Sequence, residues 1–192
     1  MNQPDDNQII EKVLEGNSGA YALIVDRYKD LVYSVVLKIV KSREEAEEVA
    51  QDTFLKAYHA LPAFKREARF STWLFRIAYN TAISRTRRKH IETSVIDDRL
   101  IENYSTDDIR ENMSRIDSEE QLRILHKVLK TLPGEDQMLI TLFYNNHQGI
   151  DEIASITGLS EANVKVKLHR IRKKLYAEMQ SELKADVFEL RN

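Results

Sequence analysis

Residues 64 to 90, FKREARFSTWLFRIAYNTAISRTRRKH, gather six arginines, two lysines, three phenylalanines, a tyrosine and the chain's single tryptophan, in a protein of formal net charge -2. Guanidinium groups hold phosphates and aromatic rings stack on bases, so the combination suits a polyanion with flat groups, which is nucleic acid. A helix beginning near Ser71 turns Leu74, Ile77, Ala78, Thr81 and Ala82 inward. Trp73, Arg76, Asn80 and Arg87 then share a different face, with Ile83 and Ser84 at its rim. An indole, a guanidinium and an amide in a row can stack on a base, hold a phosphate and read a base edge. The loop before the helix sets Lys65, Arg66 and Arg69 between Phe64 and Phe70, a setting for an unstacked base. The plain alternative makes Trp73, Phe64 and Phe70 core aromatics and Asn80 a helix-surface amide.

A second constellation lies at 150 to 169, IDEIASITGLSEANVKVKLH. Ile153 and small Ala154 belong to a short helix, Gly158 supplies the positive φ of a tight turn, and Ser160 caps the following helix. On that helix Val164, Leu168, Ile171, Leu175 and Met179 form one apolar stripe, which leaves Lys165, Val166, Lys167, His169 and Arg170 on other faces. Six Lys or Arg and one acid between Ser160 and Leu175 fit a recognition helix in a DNA major groove. A solvated amphipathic helix is the bland reading of the same charges.

The remaining sequence must position these two surfaces. Only 5 Gly and 3 Pro in 192 residues, with long runs of Glu, Lys, Arg, Leu and Ala, predict an all-α chain. Ile9, Ile10, Val13 and Leu14 before Gly16 mark a short first helix. Leu23, Ile24, Tyr28, Val32, Val35, Val36, Ile39 and Val40 keep a helical period, with Lys29 and Asp30 as the place for a break. SREE at Ser42 reads as a capping box closed by Glu45. It opens a helix with Ala46, Val49, Ala50, Phe54 and Ala57 inward, ending near Leu61 and Pro62. From Ile91 to Ser118 eight acids face three arginines with little apolar periodicity, which reads as a flexible acidic linker. Periodicity resumes with Leu122, Leu125, Leu129 and Leu132, stops at Pro133 and Gly134, and returns through Ile140, Phe143 and Tyr144 before a loop at 145–149. The expectation is two small helical domains, 1–90 and 119–192, joined by a linker at 91–118.

The chain has no cysteine, which removes disulfides and thiolate metal sites. There is no HExxH, no glycine-rich phosphate loop, and none of the five histidines has a Glu three residues before it, so neither a catalytic centre, a metal site nor a cofactor is expected. The apolar stretch Val32 to Val40 is too short to span a bilayer and is interrupted by Lys38, and MNQPDDNQ lacks the regions of a signal peptide. No membrane insertion and a cytoplasmic location are therefore expected.

Residues 52 to 88, DTFLKAYHALPAFKREARFSTWLFRIAYNTAISRTRR, resemble the second conserved region of bacterial RNA polymerase sigma factors of the small extracytoplasmic-function (ECF) group. LPGEDQMLITLFY and the helix-turn-helix after it resemble the fourth region of the same group. The resemblance implies a factor that binds core RNA polymerase, directs it to promoter DNA and helps to melt the minus-ten element. It implies polymerase docking through EEAEEVAQDTFLKAY, with Glu48, Gln51, Asp52 and Phe54 as contacts. Phe64, Lys65, Arg66, Arg69, Trp73, Arg76, Asn80 and Arg87 would serve the minus-ten element. Ser160, Asn163, Lys165, Val166, Lys167, His169 and Arg170 would serve the minus-thirty-five duplex. An anti-sigma factor is an implied partner. Many members of the group carry a glycine in the capturing loop where this chain reads KREA. The rival to this reading is a dimeric helix-turn-helix regulator on a palindrome, which explains 150–175 and leaves 64–90 unexplained.

Overall fold

The computed structural model describes residues 4–89 and 119–189, all helices and connections with no strand among them. Helix α1, Asp6–Leu14, is opened by a reciprocal cap in which Asp5 accepts from the Gln8 amide and Gln8 accepts from the Asp5 amide. Gly16, at φ 103, turns the chain after it. Ile9, Ile10 and Val13 are buried, whereas Leu14 points outward.

Helix α2 runs unbroken from Tyr21–Val40, so the expected break at Lys29 and Asp30 is absent. The reason is geometric: Ile24, Tyr28, Val32, Val35, Val36 and Ile39 keep a continuous buried stripe while Lys29 pairs with Asp26 on the exposed side. Leu23, placed inward by its period, lies on that exposed side too. Tyr21 donates its hydroxyl to the Phe54 carbonyl at 2.8 Å and Tyr28 donates to Asp6, and burial pushes both phenols above their ordinary range.

Helix α3, Arg43–Ala60, begins at Ser42, whose hydroxyl accepts from the Glu45 amide and donates to Glu44. A 3-10 turn at Leu61–Ala63 contains Pro62 and leads into the aromatic loop. Helix α4 spans Phe70–Lys89. Phe75 and Thr72 join Leu74, Ala78, Thr81 and Ala82 in its buried set, and Ile77 is half-buried. Helices α2, α3 and α4 pack on one another around this first core.

In the second half, α5 spans Glu119–Thr131 and packs along α8, Glu161–Glu189. Its buried residues are Ile124 and Val128, followed by Leu132, with Leu125 and Leu129 half-buried beside them, whereas Leu122 is exposed. Pro133 precedes α6, Gly134–Ile140. One wide turn at Thr141–Asn145 follows, closed by the Asn146 amide on the Thr141 carbonyl. Helix α7, Ile150–Thr157, ends at Gly158 with φ 77, and Ser160 caps α8 by accepting from the Asn163 amide. The helix-turn-helix thus has its expected parts. The acidic stretch 91–118 lies outside the described residues.

The two halves touch. Helix α4 packs on α7, and α2 packs on α6. At the second contact a Cβ on Gly134 would come within 2.4 Å of the Lys38 carbonyl oxygen, so only glycine permits this approach.

Candidate nucleic-acid interface

Phe64, Phe70 and Trp73 form one aromatic cluster, with ring centroids 5.0 to 5.6 Å apart. Phe70 is fully enclosed and is a core residue that also meets Tyr28. Phe64 and Trp73 are half-buried, each with one side on the core and one side open. The indole of Trp73 is thus anchored by the core and still presents surface. Lys65, Arg66 and Arg69 are exposed in the loop, and Arg76, Asn80 and Arg87 are exposed along α4. A cavity of about 340 Å³ opens between the loop 63–68, Trp73 and Arg76, with Ser155 of α7 on its far wall. That volume and lining, cationic and aromatic together, suit a single base with its phosphate.

The KREA departure has a structural counterpart. Arg66 adopts φ 60, the left-handed region that favours glycine. Its guanidinium meets Glu11 of α1 at 2.9 Å, an exposed ion pair between the loop and the first helix. The first helix, which the sequence placed only as an apolar set, thereby supports the loop.

On α3, Gln51 and Asp52 are exposed, and Glu48 is exposed and paired with Arg85 of α4. Phe54 is 8% exposed, so its ring belongs to the core. Leu55, 59% exposed, is the apolar side chain that accompanies Gln51 and Asp52 on the outer face. Sequence periodicity held the signal: Leu55 falls outside the inward set of α3.

On α8, Lys165 and Arg170 are exposed, and Asn163, Val166, Lys167 and His169 are half-exposed, all off the buried stripe of Val164, Leu168, Ile171 and Leu175. Arg172 differs from the other five cations of this segment. It is 6% exposed, donates from Nε to the Tyr144 hydroxyl at 2.8 Å and lies over the Phe143 and Tyr144 rings. It ties the wide turn to α8 and is unavailable to DNA. Asp136 faces Lys167 and Lys174, and its burial raises its carboxyl above the ordinary range. No cluster of metal-ligating side chains occurs among the described residues.

The sigma-70 region 2 family matches residues 24–90 and the sigma-70 region 4 family matches residues 122–175. The ECF RNA polymerase sigma factor SigW of Bacillus subtilis is 32% identical over 178 residues, spanning 89% of this chain and 95% of its own length. The chain belongs to the ECF RNA polymerase sigma factors. The ECF sigma-E factor of Escherichia coli is 32% identical over 186 residues, spanning 93% of this sigma factor and 96% of its own length. Two solved structures share the fold. CnrH in complex with the cytosolic domain of CnrY has a TM-score of 0.63 at 23% identity, covering 92% of this chain and 97% of that one. The sigma factor RpoE with the anti-sigma factor NepR from Bartonella quintana has a TM-score of 0.59 at 18% identity, covering 83% and 96%. The aromatic cluster lies inside the region 2 match and the exposed cations of α8 inside the region 4 match. No described helix is long and apolar enough to cross a membrane.

Proposed function

We propose that this sigma factor docks on core RNA polymerase through the outer face of α3, holds a melted minus-ten strand at the loop and the open face of α4, and reads the minus-thirty-five duplex with α8. The observation that carries the reading is the half-buried Phe64–Trp73 pair beside exposed Lys65, Arg66 and Arg76 around one cavity. A protein reading only duplex DNA needs phosphate contacts and a groove helix; open aromatic faces beside guanidiniums serve unstacked bases. Flipping a base costs roughly a few kcal/mol. Stacking returns about 1–3 kcal/mol per base, which offsets much of that cost.

In this reading Gln51, Asp52 and Leu55 meet polymerase, with Glu48 beside them. Trp73 and Phe64 stack, Lys65, Arg66, Arg69, Arg76 and Arg87 hold phosphates, and Asn80 reads a base edge. Lys165, Val166, Lys167, His169 and Arg170 enter the major groove, with Ser160 and Asn163 at the helix N-terminus. Residues 1–90 and 119–192 are the two working units and 91–118 the tether between them. The protein acts where polymerase acts, in the cytoplasm, as an initiation factor with no reaction of its own. An anti-sigma factor is its regulatory partner, as the complexes of structurally similar chains suggest.

The test is a pair of footprints on promoters selected with reconstituted holoenzyme. Protected duplex around minus thirty-five, together with permanganate-reactive thymines around minus ten, is expected only with polymerase present. A symmetric footprint made by the free protein would support the dimeric regulator instead.

A further inference from the structure

The cavity between the capturing loop and α4 holds a side chain that stacking and phosphate binding leave without a task. Phe64 and Trp73 line it with rings, and Lys65, Arg66 and Arg76 line it with cations. Glu67 lines it too, the only acid among the described residues that do so. A carboxylate on a surface built for a polyanion repels phosphate. Arg66, the cation next to it in sequence, is already paired, its guanidinium 2.9 Å from Glu11 of α1. Glu67 is exposed, and elsewhere in a loop it would be an ordinary solvated acid. On the wall of this cavity it meets whatever enters.

The chemistry of a carboxylate decides what it can meet there. It accepts hydrogen bonds through two oxygens and donates none. A base turned out of the stack offers its Watson–Crick edge. Thymine places two carbonyl oxygens on that edge around a single N–H. Cytosine and adenine each set an amino group beside a bare ring nitrogen, which faces a carboxylate oxygen unfavourably. Guanine alone sets two donors side by side, N1–H and the N2 amino group, and two parallel donors on one carboxylate make the same two-point match that strengthens arginine–carboxylate pairs. The O6 acceptor that completes the guanine edge suits Lys65 or Arg76 on the same walls. Stacking on the rings tolerates every base, so it does not make this choice.

We propose that Glu67 is a specificity-determining residue of this sigma factor: its carboxylate accepts from N1–H and N2–H of one guanine of the melted minus-ten strand, held against Phe64 and Trp73, and disfavours the other three bases at that place. The proposal rests on the reading of Phe64 to Arg76 as a DNA-holding surface and names the base that surface takes.

The test uses holoenzyme reconstituted from core polymerase and the full-length chain, with the non-template minus-ten strand of a promoter selected by it as a labelled single-stranded oligonucleotide. Each guanine of the element is replaced in turn by inosine, which lacks only the N2 amino group. At one guanine the replacement is expected to weaken binding about tenfold, the effect of one hydrogen bond to a charged group. Glu67→Ala should abolish that penalty at the same position. Glu67→Gln should abolish it while still holding guanine, because a carboxamide accepts from N1–H and donates to O6. 7-Deazaguanine there, which keeps the Watson–Crick edge, should bind as guanine does. Circular dichroism of each variant establishes that the helices remain. An element without guanine, no inosine penalty in the parent, or a penalty that persists in Glu67→Ala overturns the assignment. A penalty from 7-deazaguanine and none from inosine overturns it as well, because the cations would then read N7. Failure of the underlying DNA-holding reading shows itself separately, as oligonucleotide affinity unaltered by Trp73→Ala; lowered affinity in Trp73→Ala with the inosine penalty intact in Glu67→Ala removes the guanine assignment alone.

Discussion

Replacing Trp73 and Asn80 together by alanine removes the proposed stacking ring and the proposed base-edge amide from one face of α4. Stacking on an aromatic is worth about 1–3 kcal/mol, and a neutral hydrogen bond about 0.5–1.5 kcal/mol. Their sum, about 1.5–4.5 kcal/mol, corresponds to a loss of roughly ten- to a thousand-fold in the equilibrium for promoter opening. The substitution also has a structural cost, because the indole packs on Phe64 and Phe70 with centroids at 5.0 and 5.5 Å. A fully buried Trp→Ala change costs about 3–5 kcal/mol; half-burial brings this to about half, within the ~5–15 kcal/mol stability of an ordinary domain. The helices should therefore persist, and polymerase affinity, which the proposed function assigns to α3, should change by only about twofold. Permanganate reactivity of promoter thymines reads opening, and anisotropy of labelled protein titrated with core polymerase reads docking. Equal losses in the two assays would show that Trp73 and Asn80 act through the fold and would refute their assignment to the melted strand.

Lys165→Ala and Arg170→Ala should each weaken minus-thirty-five binding and lower the slope of log affinity against log salt by about one, if the lost contact is to phosphate; unchanged footprints and slope would remove α8 from the groove. Leu55→Asp should weaken core polymerase binding about tenfold or more, as expected when a charge enters a desolvated contact, with minus-ten oligonucleotide binding intact; unaltered polymerase affinity would place the docking face elsewhere. Arg172→Ala should destabilise the second half by about 2–3 kcal/mol, the sum of a desolvated cation–π contact and a hydrogen bond, read as a lower midpoint in urea; a stability equal to the parent's would mean that the Phe143 and Tyr144 contacts contribute nothing.

The helical architecture was legible because breakers are few and apolar periods are long, and the helix-turn-helix because Gly158 and Ser160 carry their own backbone geometry. The misplacements have a common cause. Leu14, Leu23 and Leu122 are apolar yet exposed, and hydrophobicity alone does not state which side of a helix meets a neighbour. Lys29 and Asp30 suggested a break because two charges interrupted the apolar pattern, but consecutive residues on a helix lie about 100° apart and both fit an outer face. At the candidate site, the arginines and aromatics of 64–90 were legible by type. Their division into anchored and open faces was not, since Phe64, Phe70 and Trp73 differ in burial only through tertiary packing. Arg172 counted with the groove cations in sequence and was claimed by two rings brought near by the wide turn. The Thr72–Glu152 contact joins residues 80 positions apart, beyond the reach of any local pattern.

The central claim is that promoter recognition belongs to this protein and polymerase jointly. Fluorescence anisotropy of labelled promoter DNA with this protein alone, core polymerase alone, and both together tests it most directly. Specific binding and opening only in the combined sample is the predicted result; specific duplex binding by this protein alone, with polymerase adding nothing, would contradict it.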